Sequence, residues 1–360
     1  MRRSAWCICT AAGVAVLLLA APAQGAFPGK NGKLAVESQG LNDYDIHVLN
    51  PDGTGRVNLT NTPSPSFERA PAWSPDGSKI AFTRGVQPVS DEEIWVMNAD
   101  GSGQTNLTDS PGTEDFDATW SPDGTKIAFV SCCLGGGVEI HVMSADGSGR
   151  VQLTHGETDE MLGPAWSPDG SKIAFFGDDP LGRALYQLFV VNADGSDVTQ
   201  ITTELGASSD PDWSPDGSKL GFTRLSPADG GGFPCCGQVY VMNPDGTGQT
   251  QLTGPDEPSF EAPENVHPVW APDGTRIAFS SNREAFGRFD VWTIDPDGAS
   301  ELQVTTSGRD GLGDWQPIPA PRRGDYKNAS HYCRALRDFL GEAEFANRYA
   351  NHGTCVSASH

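Results

Sequence analysis

Positive charge is what this 360-residue chain has least of: 24 Lys and Arg stand against 47 Asp and Glu, a formal net charge of −23. Nucleic acid and anionic membrane surfaces are held through clustered Lys and Arg, so both partner classes are excluded. Long apolar runs are almost as scarce. Only residues 11–21 (AAGVAVLLLAA) form one, and it falls short of the roughly 20 residues a membrane-spanning helix needs. Catalytic signatures are missing too: there is no G-x-S-x-G elbow, no H-E-x-x-H and no phosphate-binding loop.

The one apolar run follows Arg2 and Arg3 and leads to Ala23-Gln24-Gly25, small residues at −3 and −1 of a cleavage site. Residues 1–25 therefore read as a secretory signal peptide, with Ala26 as the first mature residue and no Cys at the cleavage point to take a lipid. The mature chain is expected outside the cytoplasm, either secreted or in the periplasm or cell envelope, as a monomer without membrane insertion. Gly (43) and Pro (27) are frequent, which favours a turn-rich all-β fold.

Self-comparison organises the rest. One unit reads W-S-P-D-G-S-K-I-A-F, a variable loop, I-W-V-M-N-A-D-G-S-G, and then x-x-L-T. Its Trp recurs as Trp73, Trp120, Trp166, Trp213, Trp270 and Trp315, at spacings of 47, 46, 47, 57 and 45 residues. Every element occurs six times. Each unit holds four short apolar segments in near alternation, which predict four strands. Pro-Asp-Gly turns the chain between the first two: Pro presets φ, Asp bonds the local backbone and Gly takes positive φ. A second Asp-Gly turn joins the third and fourth. Six such antiparallel units predict an all-β, six-bladed β-propeller over residues 26–318. The chain enters at Lys33-Leu34-Ala35-Val36, a second strand with no Trp strand before it, and leaves at Trp315, a first strand with no successor. One blade is thus expected to take three strands from one end of the chain and one from the other, a 3+1 strand closure that leaves no sheet edge open.

W-S-P-D-G-x-K-I-A-F followed by I-x-V-M-N-A-D-G, in six copies over about residues 30–318, resembles the TolB-type, WD-like propeller repeat. The resemblance implies a rigid binding platform, which in that family serves as a periplasmic interaction partner of the Tol-Pal envelope system. Only a few residues separate the cleavage site from the first strand. The α/β domain that precedes the propeller in TolB-type proteins is therefore expected to be missing, and only the platform carries over. Some propellers of similar repeat are lyases with a His-bound metal. Propeller hydrolases need a large catalytic domain after the propeller, and about 40 residues follow here.

Function is expected on the face that carries the variable connections, since binding concentrates in loops on a rigid scaffold. The connections between units hold 17 acidic residues against Arg69 and Arg309, an acidic loop face that would steer a basic protein or peptide toward the central channel. The candidate contacts are Asp115, Asp117, Glu160, Asp212 and Asp314, with Asp256, Glu257, Glu261, Glu264 and His267 in the enlarged fifth unit. That unit has its extra residues in two stretches, Arg224–Gln238 and Gly254–Val269, which this register brings together. Residues 98–103 (NADGSG) superficially match the start of a Ca²⁺ loop, but lack the bidentate Glu and flanking helices, and read as a hairpin turn. His47 and His141 stand where other units have Trp95, Phe189, Tyr240 and Trp292, so they read as packing residues. His155 and His267 lie among the acids. A metal held there is the basis of the alternative, a metal-dependent propeller lyase or hydrolase acting on a saccharide or lactone in the channel. The main reading is a non-enzymatic platform for a protein or peptide, with no cofactor, metal or catalytic residue.

Export makes disulfides the default for the six Cys beyond the leader. Cys132-Cys133 and Cys235-Cys236 are adjacent pairs in the same loop of the third and fifth units, each able to close on itself or to cross-link a neighbouring loop. Residues 319–324 read as a linker. Beyond it the period changes. Ala329, Tyr332, Cys333, Leu336, Phe339 and Leu340 lie three to four apart, an amphipathic helix, and Phe345, Ala346 and Tyr349 suggest a second short one. Residues 325–360 are thus expected to form a small helical tail stapled by Cys333 and Cys355, because so small a hairpin does not hold its fold unaided.

Overall fold

Each Ser-Pro-Asp-Gly turn is closed by its own residues. Asp76 Oδ1 accepts from the Ser74 hydroxyl at 2.6 Å and from the Ser78 N–H at 3.0 Å, while Ser74 Oγ accepts from the Lys79 N–H at 2.9 Å. Gly77, at φ 68°, donates to the Ser74 carbonyl. The same bonds recur around Asp123, Asp169 and Asp216. The turn thereby sets the register of the two strands it joins before any tertiary contact is made.

The computed structural model describes residues 26–341, apart from 41–43, 87–88, 133–136, 157, 159, 183–185, 205, 227–234, 255–261, 286, 323–325 and 327, together with Phe345, Arg348, Tyr349 and Cys355. Its strands pair into six four-stranded antiparallel sheets. In blade 1 the first strand, Asp310–Ile318, pairs with Lys30–Gln39, which continues through Tyr44–Leu49 to Val57–Asn58. This is the 3+1 closure predicted from the repeat register. Blades 2 to 6 follow in chain order, with first strands Ser66–Trp73, Glu114–Trp120, Met161–Trp166, Ser208–Trp213 and Asn265–Trp270. The first strands of successive blades lie against one another around a central axis. The fourth strands are only two residues long and carry the exposed Val57, Val151 and Leu302.

The core lies between blades, because a sheet alone cannot cover both of its faces. One cluster joins Ala128, Val130 and Ile140 of blade 3 to Trp166, Phe175 and Phe189 of blade 4. Polar bonds repeat with the same period. Thr60, Thr108, Thr154, Thr202, Thr253 and Thr305, the ends of the Leu-Thr elements, each accept through Oγ1 an N–H from within their blade's third strand, that of Ile46, Ile94, Ile140, Leu188, Val239 and Val291 in turn.

Glycine at the second turn of each blade sits on the preceding blade. A Cβ on Gly101 would stand 2.8 Å from the Leu59 carbonyl oxygen, on Gly147 2.7 Å from that of Leu107, and on Gly53 2.2 Å from that of Val304, which carries the pattern across the closure. The chain start adds a further tie. Ala26 donates to the Trp213 carbonyl and Gly29 to that of Pro272, while the buried Phe27 joins the cluster of Ala72, Ala118 and Trp120. Four consecutive residues reach blades 5 and 6 on one side and 2 and 3 on the other, so they cross the axis at its tight-turn end.

The second compact unit begins at Ile318. Asn328 caps α1 (Ala329–Leu340) by accepting from the His331 N–H, and Gly341 ends it at φ 83° with its N–H on the Arg337 carbonyl. Cys333 and Cys355 form the expected disulfide, packed with Leu336 and Phe345. Among the described residues no helix is long and apolar enough to cross a membrane.

Gly246 and Gly298 offer a controlled test of the inter-blade contact. Both have φ 84°, but a Cβ would lie 1.9 Å from the Ile201 carbonyl oxygen at the first and 3.5 Å from that of Leu252 at the second. Gly298→Ala is expected to cost about 1 kcal/mol, for backbone conformation alone. Gly246→Ala should cost about 3 kcal/mol or more, because the blade must move. Equal losses in urea unfolding would show that the close approach is not what requires glycine there.

Candidate functional site at the channel axis

Several acids of the loop face are structural partners. The Glu68 carboxylate is bound by Arg84 at 2.7 Å; Asp115 and Asp310 are each held in two bonds by Arg150 and Arg56. In each case the acid is the fifth residue before the Trp and is fully buried. The guanidinium comes from two alternative positions. Arg84 and Arg224 follow the second strand's aromatic residue by two and lie over the ring pairs Phe82/Trp95 and Phe222/Tyr240. Arg56 and Arg150 come instead from the second turn, and their Nε donates to Nδ1 of His47 and His141. Those two His therefore do fill the aromatic slot, as Arg-capping imidazoles. Burial and the Arg150 charge push His141 down to about 4.

Asp212 and Asp314 tie blade to blade. Asp212 accepts from the Trp270 N–H at 2.6 Å, and Asp314 from Trp73 at 2.7 Å and from Trp315 at 2.6 Å. Burial raises Asp212 well above the ordinary carboxylate range and Asp314 to about 7.

One position of the first strand behaves differently. In blades 2 to 6 the pairing register slips just before the Trp. The residue three before it, Ala70, Asp117, Gly163, Asp210 or His267, takes φ between 52° and 56°. Such a bulge re-aims the side chain, and Asp and His are among the few non-glycine types that tolerate it. The second strand of the preceding blade pins the bulge. Thr83 Oγ1 accepts from the Asp117 N–H, Thr223 Oγ1 from that of His267, and Glu37 from that of Ala70.

The re-aimed groups converge. His267 Nε2 lies 3.6 Å from Asp210 Oδ2. Asp117 feels the charges of Arg69, Glu92, Asp210 and Glu37, and Glu37 those of Arg69 and His267. These residues come from blades 1, 2, 3, 5 and 6, which can meet only at the axis. Arg69 is paired with Glu92. Asp117 is 1% exposed, and neither of its carboxylate oxygens has a hydrogen-bond partner among the described residues. Burial pushes it up to about 8; Arg69 opposes the rise, and the neighbouring carboxylates add to it. Burial also raises Glu37, against the pull of Arg69 and the Ala70 N–H.

Of the residues expected from the sequence, Asp117 and His267 belong to this cluster. Asp115, Asp212 and Asp314 are held as described. Glu160 accepts from the Tyr186 hydroxyl and Glu264 from the Asn282 amide. Asp256, Glu257 and Glu261 lie outside the described residues. The two stretches of the enlarged fifth unit do meet, where Gln238 bonds the Pro263 carbonyl and the Asn265 amide. His155 is exposed, and its charge acts on His141 of its own blade. No three His, Cys, Asp or Glu among the described residues converge as metal ligands. Cys132, beside Glu114 at 3.4 Å, and Cys236, at φ 60°, are buried; Cys133 and the side chain of Cys235 lie outside the described residues. The sequence did not single out Glu37, Arg69, Glu92 or Asp210. The available signal was a first-strand position that does not repeat: Ala, Asp, Gly, Asp, His and Leu stand three before the six Trp.

The family described as the TolB beta propeller domain matches residues 26–180 and 158–318. Over 85 residues, 24% of this chain, the sequence is 33% identical to the Tol-Pal system protein TolB of Rhizorhabdus wittichii, a stretch that spans only 16% of that protein. Among solved structures, TolB from Acinetobacter baumannii is similar with a TM-score of 0.65 at 19% identity, over 81% of this chain and 68% of that one. Hydrazine synthase of Kuenenia stuttgartiensis gives 0.61 at 17% identity, over 83% and 48%. At these identities the likeness is one of fold, and a fold shared with a synthase does not decide function.

The buried carboxyl of Asp117 has a measurable consequence. The native state keeps its proton up to about pH 8, whereas the unfolded chain releases it above about pH 4. The native state then binds more protons, so this group makes stability fall as pH rises between those limits. Asp117→Asn removes the effect, and Asn tolerates the left-handed backbone. Urea unfolding at about pH 5, 7 and 9 should show the variant gaining on the wild type as pH rises. A stability difference that stays constant with pH would mean that Asp117 is not held protonated.

Proposed function

The chain belongs to the TolB β-propeller domain family, and we propose that it works outside the cytoplasm as a non-enzymatic platform for a basic protein or peptide segment. The segment docks over the loop-side mouth of the channel. The observation that carries this reading is the charge at the axis. Four acidic side chains, Glu37, Glu92, Asp117 and Asp210, face one guanidinium, Arg69, and one imidazole, His267. Acids gathered between low-dielectric walls favour an entering cation, which takes the place of the proton that burial holds on Asp117. Residues 26–29 cross the tight-turn end of the axis, which leaves the loop side as the approach. Around that mouth Asp109, Glu114, Glu160 and Glu264 add further negative charge, while Asp115, Asp212 and Asp314 hold the scaffold. The leader pattern before Ala26 and the likeness to a Tol-Pal system protein support the cell envelope as its location.

The test is capture from a cell-envelope fraction on the immobilised protein. A partner taken by the wild type should be released between about 50 and 300 mM salt. It should be lost by the triple variant Asp109→Asn/Glu114→Gln/Glu160→Gln with unfolding unchanged. Capture indifferent to salt and to the triple variant would overturn the proposal. So would turnover of a saccharide or lactone that chelator abolishes.

A further inference from the structure

We propose that the axial cluster is a subsite for one organic cation, an ammonium or guanidinium group carried by the docked segment, with the carboxylate of Asp117 as its anion. This rests on the platform reading and specifies which part of the partner enters the channel.

Donor and acceptor accounting leads to this ligand class. Asp117 offers two carboxylate oxygens with no donor among the described residues, and an unpaired buried acceptor is costly unless something fills it. Its nearest cation does not serve. Arg69 is paired through Nη2 with Glu92 and lies over the Phe116 ring at 5.5 Å, and it makes no hydrogen bond to Asp117. Asp210 Oδ2 accepts from the Ser209 hydroxyl at 2.9 Å, and Glu37 Oε2 from the Ala70 N–H at 3.3 Å. Arg69 Nε and His267 Nε2 are also without a hydrogen-bond partner among the described residues. Neither bonds Asp117, and the four acids Glu37, Glu92, Asp117 and Asp210 outnumber the two basic groups Arg69 and His267. An anionic ligand is excluded by sign. A neutral sugar could supply hydroxyl donors but would leave the charge uncompensated in a buried site. A metal ion needs converging ligands that the described residues do not provide. An ammonium brings three donors and a guanidinium five, each with one positive charge, and charge-assisted bonds to a carboxylate are the stronger kind.

Without a cation, the charge is relieved by protons. Burial pushes Asp117 up to about 8 and also raises Glu37. The groups facing Asp117 are Arg69 and Glu92 from blade 2, Glu37 from blade 1 and Asp210 from blade 5, with His267 of blade 6 against Asp210. An entering cation favours the ionised carboxylate, so it displaces the proton. Binding near neutral pH should release protons and tighten as pH rises toward about 8.

The experiment titrates the full mature chain with n-butylguanidinium, n-butylammonium and CaCl₂ separately, by calorimetry in two buffers of different ionisation enthalpy. An organic cation is expected to bind with a Kd of about 1 mM, to release protons, and to lose at least about tenfold in affinity in Asp117→Asn and Asp210→Asn. Asp338→Asn, at an exposed acid on α1 of the second compact unit, should bind as the wild type does. Folding of each variant is checked by urea unfolding. Binding unchanged by Asp117→Asn overturns the proposal, as does Ca²⁺ binding that depends on Asp117 and is not displaced by the organic cations. The two readings fail separately. If Asp117→Asn still captures the envelope partner at full affinity while the triple variant does not, the platform stands and the subsite falls. If butylguanidinium binds through Asp117 but nothing basic docks at the rim, the reverse holds.

Discussion

Every blade of this propeller depends on ring closure. A four-stranded sheet has two faces to bury, and each core cluster joins residues from adjacent blades, so no blade is complete without both neighbours. The chain meets this demand by splitting blade 1 between its ends. It then fixes the spacing with glycine, since the second turn of each blade lies against a carbonyl of the blade before it. Positive φ could be tolerated by Asn or Asp at some cost. The missing Cβ could not be replaced where a carbonyl stands 2–3 Å away.

The same closure makes the axis unusual. Six first strands run side by side, and in five of them a bulge turns one residue inward. Ordinary alternation would send that side chain between blades, where apolar residues belong. Turned to the axis, it meets side chains from distant strands, as Asp117 meets Glu37 and Asp210, 80 and 93 residues away in sequence. Asp117, Asp210 and His267 are acceptable there because a short polar side chain tolerates the left-handed backbone. The result is a group of ionisable residues from five blades gathered at one point of the interior.

Exchange of equivalent solutions runs through the blades. A guanidinium covers the aromatic slot in most of them, supplied from the second strand in blades 2 and 5 and from the second turn in blades 1 and 3. The residue at the unused position is small or neutral: Ser38 and Ser131 accompany Arg56 and Arg150, and Gln104 and Gln249 accompany Arg84 and Arg224. Blade 4 has neither Arg, and closes the slot by stacking Phe175 on Phe189. A buried acid needs its partner, because removal of one member leaves the other charged and unpaired. The chemistry is therefore kept while its donor position moves.

The sequence by itself determined the strands, both turns of each blade, the number of blades, the shared blade and the helical tail with its Cys333–Cys355 bond. These follow from periods and turn residues that act within a few positions of one another, so each copy of the repeat restates them. It also marked the loop face as acidic, but it could not sort those acids. Asp115 and Asp117 stand two apart on one strand and look alike in the sequence. Asp115 is held by Arg150, 35 residues on, whereas Asp117 faces Arg69, Asp210 and Glu37 across the axis. Only the tertiary structure decides between such neighbours, because pairing depends on which side chain the bulge turns and which blades the ring brings to the same point. A repeat specifies its own blade, and the axis is formed by all of them together.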